Sequence, residues 1–435
     1  MDIIVIGIGH IGLVAACCLA NSGHRVTGVE IDQAKLNFLN HPGNLIYEKG
    51  IQEMLREGLD SGRLTFVPNF PVSFKADVAM ITVNTPTSSD GKADLSNLYA
   101  VVSQVREAAR SPLIMVVKST VSPGTGAMIM KRYLDDTSLA YVANPEFLRT
   151  GQAVNDWYHP SRIVIGSDNQ DAIEGMRHLY SDIEAPLLVT DVTSAEMIKC
   201  AANSFLATKV SFINEIANLC DALGANIDDV VKGLGLDPRI GTSHLQPGIG
   251  YGGPCLPKDL QAMASLSDEK GYDFKLLKAV IEVNTRQRVI VVDRLKQFLG
   301  SLKGKKITLL GLAFKPDTNE AAEAPSLDIA RQLIAEGVKL HAYDPVAMES
   351  AKIMLPADVV LASDIYAAAA GACAVILATE WPEFNKADWQ RIKRSMTQPY
   401  VVFDGRNALP KDRLVAEGFK YVGVGRTVDR KVGKA

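Results

Sequence analysis

The stretch Ile3-Ile4-Val5-Ile6-Gly7-Ile8-Gly9-His10-Ile11-Gly12 decides the fold of the first part of this chain. The apolar run predicts a buried strand, and the glycines at Gly-x-Gly-x-x-Gly spacing predict a tight turn that opens a helix. The first glycine permits the turn, the second lets a ligand approach the backbone, and the third lets helix and strand pack closely. Glu30 ends the next predicted strand, eighteen residues after Gly12. This register favours a dinucleotide site over an ordinary strand-to-helix turn.

The acidic residue indicates which dinucleotide binds. A carboxylate at Glu30 would hydrogen-bond a ribose diol and repel a 2′-phosphate, so the sequence predicts NAD rather than NADP. Thr85-Pro86 and Lys118-Ser119-Thr120 follow later predicted strands. They are expected at the carboxyl ends of those strands, where ligands bind in a doubly wound sheet, although ordinary turns use the same residue types.

The pattern of predicted secondary structure changes twice along the chain. Short apolar runs predict strands of a parallel sheet at Ile3–Ile6, Arg25–Glu30, Val78–Val83, Leu113–Val117 and Arg162–Ile165. Thr193-Ser194-Ala195-Glu196 predicts a capping box at the start of an all-helical stretch. Near Lys305 the α/β pattern resumes. We predict two Rossmann-like doubly wound parallel-sheet α/β domains, residues 1–192 and 301–435, joined by a central all-helical domain, residues 193–300.

Composition excludes several classes of protein. The 435 residues are 47% hydrophobic and 22% charged, with a formal net charge of −3 and no block of like charge that would favour nucleic acid or a membrane surface. The apolar opening lacks a basic segment and is interrupted by glycines, so we predict neither a signal peptide nor a membrane span. The six cysteines lack metal-ligand spacing. They predict reduced thiols in a cytoplasmic protein without a metal site.

One cysteine stands apart from the others. Cys255 lies in Gly250-Tyr-Gly-Gly-Pro-Cys-Leu-Pro-Lys-Asp259, just before a predicted helix whose dipole would favour a thiolate. Asp259 follows four residues later, on the same helical face. An alcohol dehydrogenation needs no nucleophile, so a thiol placed for attack predicts an oxidation that continues past the aldehyde through a covalent thiohemiacetal and thioester. The alternative is a small buried residue without chemistry.

Two other segments supply candidate partners for this thiol. Lys199 and Asn203 lie four apart on the first central helix, and a cation beside an amide suits an oxyanion. Taken alone, they are equally typical of a snorkelling lysine and a solvated asparagine. Asn144-Pro145-Glu146 predicts a helix N-cap, first position and first-turn acid. Glu146 is a general-base candidate only if it faces Cys255.

The residues resemble those of the UDP-glucose/GDP-mannose dehydrogenase family along nearly the whole chain. The resemblance is carried by ordered motifs: Gly7–Gly12, Thr85-Pro86, Lys118-Ser119-Thr120, Asn144–Arg149, Lys199 with Asn203, Asp237–Gly241, Gly250–Asp259, Gly311–Lys315, Tyr343–Pro345, Thr379–Trp381 and Phe403–Arg406. It implies an NAD domain, a helical dimerisation domain and a UDP-sugar domain in a homodimer. It also implies oxidation of UDP-glucose by NAD to UDP-glucuronate, which feeds polysaccharide synthesis.

The resemblance also implies roles for individual residues. Cys255 would be the nucleophile, Lys199 and Asn203 the oxyanion stabilisers, Asp259 and Thr120 the groups that position water, and Glu146 an aid to thioester hydrolysis. Cofactor contacts would come from Gly7, Gly9, Ile11, Gly12, Glu30, Thr85, Pro86, Thr120 and Lys258. Substrate contacts would come from Glu146, Phe147, Leu148, Lys199, Asn203, Leu245, Gly248, Gly250, Lys315 and Arg406, with Arg239 reaching the partner subunit's site.

Departures from the family pattern leave alternatives open. His10 replaces a tyrosine, Lys49 replaces a proline, and Ala322 stands where an arginine usually contacts the cofactor. Loss of that hydrogen bond predicts NAD binding weaker by about 1.5–3 kcal/mol. Besides UDP-glucose, the substrate alternatives are UDP-galactose and a UDP-N-acetylhexosamine. A two-electron β-hydroxyacid dehydrogenase would not need Cys255, and a UDP-sugar-binding protein of weak activity would be favoured only by Ala322.

Overall fold

Two separate sheets of short apolar strands form the α/β parts of the chain in the computed structural model, which describes residues 1–40, 47–70, 73–88, 90–135 and 137–426. The chain divides into two compact units. The first unit holds residues 1–203 and 261–272. The second holds residues 204–260 and the chain described from residue 273 onward, so residues 427–435 of the last predicted domain lie outside the described part.

The first unit contains an eight-stranded sheet in the order β3-β2-β1-β4-β5-β6-β7-β8. Its strands are β1 (Asp2–Ile6), β2 (Arg25–Val29), β3 (Leu64–Val67), β4 (Val78–Ile81), β5 (Leu113–Val117), β6 (Leu139–Ala143), β7 (Ile163–Gly166) and β8 (Leu187–Thr190). Neighbours from β3 to β6 are parallel, whereas β7 meets β6 antiparallel through the single pair Ala143–Gly166. The predicted strands are all present. The sequence did not single out β3, β6 and β8.

Helices cover this sheet: α1 (His10–Asn21), α2 (Gln33–Asn40), α3 (Ile51–Asp60), α4 (Ser96–Ala108), α5 (Thr125–Ile129), a π-helical turn (Met130–Leu134), α6 (Ala153–Tyr158) and α7 (Gln170–Leu179). The first of them is built of small and apolar residues and is buried from Gly12 to Ala20. Two apolar clusters lie within this unit, and α1 and the strand β1 contribute to the larger one. Burial of α1 brings its first turn against the carboxyl end of β1.

The middle of the chain is helical, as predicted. It contains α8 (Val192–Leu223), α9 (Ile227–Gly235), α10 (Leu256–Glu269) and α11 (Lys275–Leu299). The capping-box prediction is wrong. α8 begins before Thr193, and the Asp191 carboxylate accepts the Ser194 N–H at 2.8 Å, so an acidic residue two positions earlier caps the helix. Glu196 therefore lies inside the helix, where its carboxylate is available to another segment.

The second unit contains a six-stranded, fully parallel sheet in the order β11-β10-β9-β12-β13-β14. Its strands are β9 (Lys306–Leu310), β10 (Lys339–Tyr343), β11 (Val360–Leu361), β12 (Ala374–Leu377), β13 (Val401–Asp404) and β14 (Lys420–Gly423). Its helices are α12 (Pro325–Ala335), α13 (Met348–Lys352), α14 (Ile365–Ala369), α15 (Pro382–Lys386), α16 (Trp389–Ser395) and α17 (Lys411–Ala416). The prediction of two Rossmann-like α/β parts around a helical middle is confirmed. The residue boundaries of three domains stay a prediction.

Candidate active site

The glycine fingerprint has the geometry that a pyrophosphate needs. Gly7 has a φ of +90°, and a Cβ there would lie 3.0 Å from the Val83 side chain. A Cβ on Gly12 would lie 2.1 Å from the carbonyl oxygen of Gly7. Gly9 occupies the N-cap of α1 and offers no capping side chain. The first N–H groups of α1, including that of Ile11, therefore have no capping side chain in front of them and can bind an anion. This backbone cradle fits the pyrophosphate of a dinucleotide.

Glu30 lies where the sequence places it, directly after β2. Its side chain is buried, and its carboxylate accepts the Lys35 ammonium at 2.6 Å and the Asp32 N–H at 3.1 Å. Lys35, on α2, was not singled out from the sequence, although its ammonium binds the carboxylate that is predicted to contact the ribose. The ion pair fixes the carboxylate at the carboxyl edge of the sheet, in the position that a ribose-binding acid requires.

The two predicted ligand segments after β4 and β5 lie side by side. The Thr85 hydroxyl donates to the Thr120 carbonyl at 2.8 Å, and the Ser119 hydroxyl donates to the Val83 carbonyl at 2.7 Å. Pro86 follows Thr85 in the same loop. Both segments leave the same edge of the sheet as the glycine turn because neighbouring parallel strands end together. The carboxyl-end rule thus places these residues correctly.

A buried ion pair joins two of the predicted catalytic residues. The Lys199 ammonium donates to the Glu146 carboxylate at 3.1 Å, and the other carboxylate oxygen accepts the Leu148 N–H at 2.6 Å. Burial alone would raise the pKa of Glu146, but Lys199 and the Leu148 N–H outweigh it and lower that pKa. Asn203 is also buried, one turn after Lys199 on α8. The first unit therefore assembles a carboxylate, a cation and an amide from two distant segments.

The predicted helix start at Asn144 is wrong. Residues 144–149 are not helical, and the Asn144 amide donates to the Val164 carbonyl at 2.7 Å. Its oxygen accepts the Lys118 ammonium at 3.0 Å and the Tyr180 hydroxyl at 2.6 Å. These tertiary partners use the whole side-chain amide, so it cannot cap a helix. Lys118 is buried beneath Trp157, at 5.3 Å from the ring centroid, and serves this network.

Phe147 and Leu148 follow Glu146 in the same non-helical segment. The Phe147 ring faces two cations, with the Arg162 guanidinium at 3.5 Å and the Lys199 ammonium at 5.5 Å from its centroid. Cation–π contacts of this kind fix the plane of an aromatic ring. The segment therefore presents an ordered aromatic face beside the buried ion pair.

Glu196 is a site residue that sequence analysis assigned to a different role. Its carboxylate accepts the N–H groups of Gly124 and Gly126, each at 2.7 Å, where the loop that follows Thr120 enters α5. Burial raises the pKa of Glu196 to about 7 although these N–H groups oppose the rise. Together with Tyr141 it lines a small cavity that also touches Thr120 and Lys199. The only signal in the sequence was an acid three residues before Lys199.

In the second unit, Cys255 has the predicted relation to a helix start. Its carbonyl accepts the Asp259 N–H at 2.9 Å, α10 begins at the next residue, and Pro257 lies in the first turn. Cys255 is exposed, whereas the other five cysteines are buried. Asp259 is buried and accepts the Lys258 ammonium at 2.7 Å, so the predicted cofactor ligand Lys258 is paired with the predicted water-positioning acid.

The predicted substrate residues of the second unit converge on one loop. The Arg406 guanidinium donates to the carbonyls of Ala378 at 2.7 Å, Gly250 at 3.1 Å and Phe314 at 3.3 Å. Lys315 follows Phe314, and its ammonium donates to the Pro316 carbonyl at 3.2 Å. Leu245 and Gly248 lie earlier in the same loop as Gly250 and are buried.

The last two predicted residues, Arg239 and Ala322, lie in other segments of the second unit. Arg239 is exposed and binds the Asp237 carboxylate of its own chain, with the shortest contact at 2.6 Å. Ala322 lies in the loop before α12, where its N–H donates to the Glu320 carboxylate at 2.8 Å. The predicted weakening of NAD binding at Ala322 stays a prediction.

Within residues 1–40, 47–70, 73–88, 90–135 and 137–426, no three His, Cys, Asp or Glu side chains are grouped so as to hold a metal ion. Over the same ranges, no helix combines the length and the apolar character that crossing a membrane requires.

Comparison with known proteins extends over the whole chain. Three models of the UDP-glucose/GDP-mannose dehydrogenase family match in order: the NAD binding domain over residues 1–184, the central domain over residues 193–286 and the UDP binding domain over residues 308–411. The match to an NAD binding domain agrees with the glycine cradle and Glu30, and NAD is the cofactor.

Individual relatives agree with the family models. The chain is 41% identical over 433 residues to UDP-glucose 6-dehydrogenase TuaD of Bacillus subtilis, with 98% of this chain and 94% of that protein covered. It is 41% identical to UDP-glucose 6-dehydrogenase of Pseudomonas aeruginosa, with 98% of each covered. A solved UDP-glucose dehydrogenase from Pyrobaculum islandicum is 35% identical, with a TM-score of 0.89 and 98% of each chain covered. The chain therefore belongs to the UDP-glucose/GDP-mannose dehydrogenase family.

Proposed function

We propose that this enzyme oxidises UDP-glucose to UDP-glucuronate in two successive dehydrogenations, through a thiohemiacetal and then a thioester on Cys255. The observation that carries the proposal is the exposed thiol at the start of α10, in a chain that also has an NAD cradle. A single dehydrogenation of the alcohol to the aldehyde needs no nucleophile, so it would not use such a thiol. Relatives named UDP-glucose 6-dehydrogenase at 41% identity support the choice of sugar.

The proposed chemistry balances over four electrons. Bound in turn at the glycine cradle beside Glu30, two NAD molecules would supply the oxidising power, removing a hydride first from the sugar C6 alcohol and then from the thiohemiacetal, while each hydroxyl proton would pass to solvent. Between these steps the Cys255 sulfur adds to the aldehyde carbon, and the oxygen gains the negative charge that Lys199 and Asn203 stabilise. Water then attacks the thioester, the carbon–sulfur bond breaks, and the acid leaves with the thiol restored. A reduced Cys255 suits a cytoplasmic location, which we propose as well.

Glu146 and Lys199 support this sequence as a pair. Because the ion pair holds Glu146 ionised in a buried place, its carboxylate can take a proton from attacking water, while the ammonium faces developing negative charge. Asp259 and Thr120 are proposed to position that water. Thr120 lies in the loop that the Glu196 carboxylate fastens to α8.

The proposed ligand contacts divide into a cofactor set and a UDP-sugar set. The cofactor is assigned to Gly7, Gly9, Ile11, Gly12, Glu30, Thr85, Pro86, Thr120 and Lys258. The UDP-sugar is assigned to Phe147, Leu148, Leu245, Gly248, Gly250, Lys315 and Arg406, together with Arg239 of a second subunit. The match of residues 308–411 to a UDP binding domain supports the placement of Lys315 and Arg406 in this set.

Counting NADH against sugar consumed tests the proposal. We expect two NADH molecules for each UDP-glucose, with UDP-glucuronate as the product and no free aldehyde. The measurement is a progress curve at limiting UDP-glucose and excess NAD, with the product identified by mass spectrometry. UDP-galactose and UDP-N-acetylhexosamines run in parallel as competing substrates. One NADH per sugar, or faster turnover of another sugar, would contradict the proposal, as would UDP binding without turnover.

The homodimer is proposed from an apolar stripe on α8. Phe205, Phe212 and Leu219 are spaced by seven residues, so they lie near one face of the helix, and more than half of each side chain is exposed (65%, 51% and 53%). A contiguous exposed apolar stripe of this kind is typical of a protein interface. We assign a second copy of this chain to it because the family resemblance implies a dimer and Arg239 is exposed for donation across it.

Phe212→Glu tests the dimer. A charge in the middle of the stripe is costly to bury, so we expect sedimentation equilibrium to show a monomer with less than about a tenth of the wild-type kcat, since Arg239 of the partner is then lost. Val415→Glu is the matched control, because Val415 is similarly exposed (52%) on α17. A dimeric Phe212→Glu protein would contradict the assignment of this face.

A further inference from the structure

A row of buried polar side chains holds the loop that leads to Cys255. Asn214 lies on α8, and Asn284, Gln287 and Arg288 lie on α11. We call these four residues the amide clamp. Asn214 is fully buried, and Gln287 and Asn284 are nearly so (2% and 5% exposed). All of them direct their polar atoms at the backbone of the residues between Gly248 and Tyr251.

The clamp binds both backbone groups at each end of this loop. The Gly248 N–H donates to the Asn214 oxygen at 2.8 Å, and the Gly248 carbonyl accepts the Gln287 amide at 2.7 Å. The Tyr251 N–H donates to the Asn284 oxygen at 2.8 Å. The Tyr251 carbonyl accepts the Asn284 amide at 3.2 Å and the Arg288 guanidinium at 2.8 Å. Five hydrogen bonds therefore set the loop conformation at two residues.

The two residues between these ends, Ile249 and Gly250, are held by the segment that follows β13. The Ile249 N–H donates to the Gly405 carbonyl at 3.0 Å, and the Gly250 carbonyl accepts Arg406 at 3.1 Å. Larger residues at Gly248 and Gly250 could not hold the loop in place of these contacts, because the backbone there leaves no room for a side chain. A Cβ on Gly248 would lie 2.8 Å from the Gly405 oxygen, and Gly250 has a φ of +94°. The loop thus depends on the clamp for its shape.

Stability does not explain why the clamp is polar. Among the residues that the structure describes, the Asn214 amide nitrogen and Arg288 Nε have no hydrogen-bond partner although both atoms are buried. The oxygen of Asn218, whose amide donates to Gln287, is in the same state. Each such atom loses its solvation on folding without gaining a hydrogen bond, which destabilises the folded chain. Such a cost is accepted in proteins chiefly where a polar group serves a site.

We propose that the amide clamp positions the loop of residues 248–251 for the UDP-sugar, and that Asn214 and Gln287 are positioning residues of the reaction. The inference rests on the proposed function, which assigns Gly248 and Gly250 to the substrate. A loop fixed before the ligand arrives loses no conformational entropy on binding, so its benefit appears in substrate affinity. NAD affinity has no such dependence on the clamp.

Kinetics of Asn214→Leu and Gln287→Leu test this proposal. Both variants remove a bond to Gly248, and we expect the KM for UDP-glucose to rise about tenfold or more while the KM for NAD stays within about twofold. UDP affinity, measured by calorimetry without NAD, should fall to the same extent. Ser211→Ala is the matched control, because the buried Ser211 hydroxyl joins the same two helices, through the Val280 carbonyl at 3.0 Å, without touching the loop.

The outcomes separate a positioning role from a structural one. The control should lose some thermal stability and keep both KM values within about twofold of wild type. A clamp variant that raises both KM values together, or leaves the UDP-glucose KM unchanged, overturns the proposal. If a leucine variant does not fold, Gln287→Glu is measured in its place, because glutamate has the size of glutamine but lacks the N–H group that donates to the Gly248 carbonyl. Wild-type enzyme that binds UDP and forms no NADH contradicts only the proposed function, and the UDP affinities still decide on the clamp.

Discussion

Replacing Cys255 by serine is expected to abolish steady formation of UDP-glucuronate while nucleotide binding survives. A serine hydroxyl is a far weaker nucleophile than a thiolate, so we expect kcat to fall by about a thousandfold or more. Because Cys255 is exposed at the start of α10, the substitution leaves the core intact. The measurements are NADH release under steady-state conditions and UDP affinity by calorimetry.

Cys373→Ser is the matched control for this experiment. Cys373 is buried in the apolar cluster of the second unit, and burial raises the pKa of its thiol. The change should therefore lower stability by roughly 1–2 kcal/mol and leave turnover of the folded enzyme unchanged. A Cys255→Ser enzyme that makes acid at the wild-type rate would contradict the covalent mechanism, whereas an inactive Cys373→Ser enzyme of native stability would contradict the choice of nucleophile.

Replacing Lys199 by methionine is expected to cost both activity and stability. Methionine keeps the length of the side chain and removes the charge. Loss of the cation opposite a developing oxyanion should lower kcat by about a hundredfold to a thousandfold. The same change leaves the buried Glu146 carboxylate without its ammonium, which should cost about 3–5 kcal/mol of unfolding free energy at neutral pH. Steady-state kinetics and chemical denaturation measure the two effects separately.

The pH dependence of stability should change sign in this variant. In the wild type the folded-state pKa of Glu146 is lowered, so its contribution is present above the unfolded pKa and is lost as pH falls through the folded one. Without Lys199, burial dominates and raises that pKa. The Glu146 contribution is then present at low pH and is lost as pH rises through the folded value. Denaturation at several pH values between about 4 and 8 distinguishes the two slopes.

A second substitution isolates the ion pair. Lys199→Met combined with Glu146→Gln removes both charges, so the double variant should regain most of the lost stability without regaining activity. A double variant no more stable than Lys199→Met alone would show that the pair does not account for the loss.

The parts of the fold that follow from local spacing could be predicted from the sequence. The turn after β1, the position of Glu30 and the start of α10 beside Cys255 depend on neighbours within about one helical turn or one strand pair. The parallel sheets follow from apolar runs that both faces bury. One prediction failed because a distant partner competed with a local one. Asn144 has the residue type of a helix cap, but Val164 and Lys118 use its amide.

The same reason limits what could be predicted of the site. Lys199 and Asn203 were found because their spacing is that of one helical face. The partner of Lys199, Glu146, lies 53 residues earlier in the chain, and nothing in its local sequence indicates the contact. Glu196 was taken for a capping residue because Asp191 was overlooked. The amide clamp combines Asn214 with Gly248 over 34 residues, so it becomes visible only in three dimensions.

The glycines before Cys255 restrict how this enzyme can acquire a new substrate. A Cβ on Gly252 would lie 2.2 Å from the Glu323 oxygen, and Gly253 has a φ of +86° against the Phe314 ring. Like Gly248 and Gly250, these positions have no room for the side chains that a directed-evolution library would introduce. Random variation across residues 248–253 should therefore yield mostly unfolded clones. A change of sugar preference has to come from positions such as Phe147, where the backbone places no comparable limit.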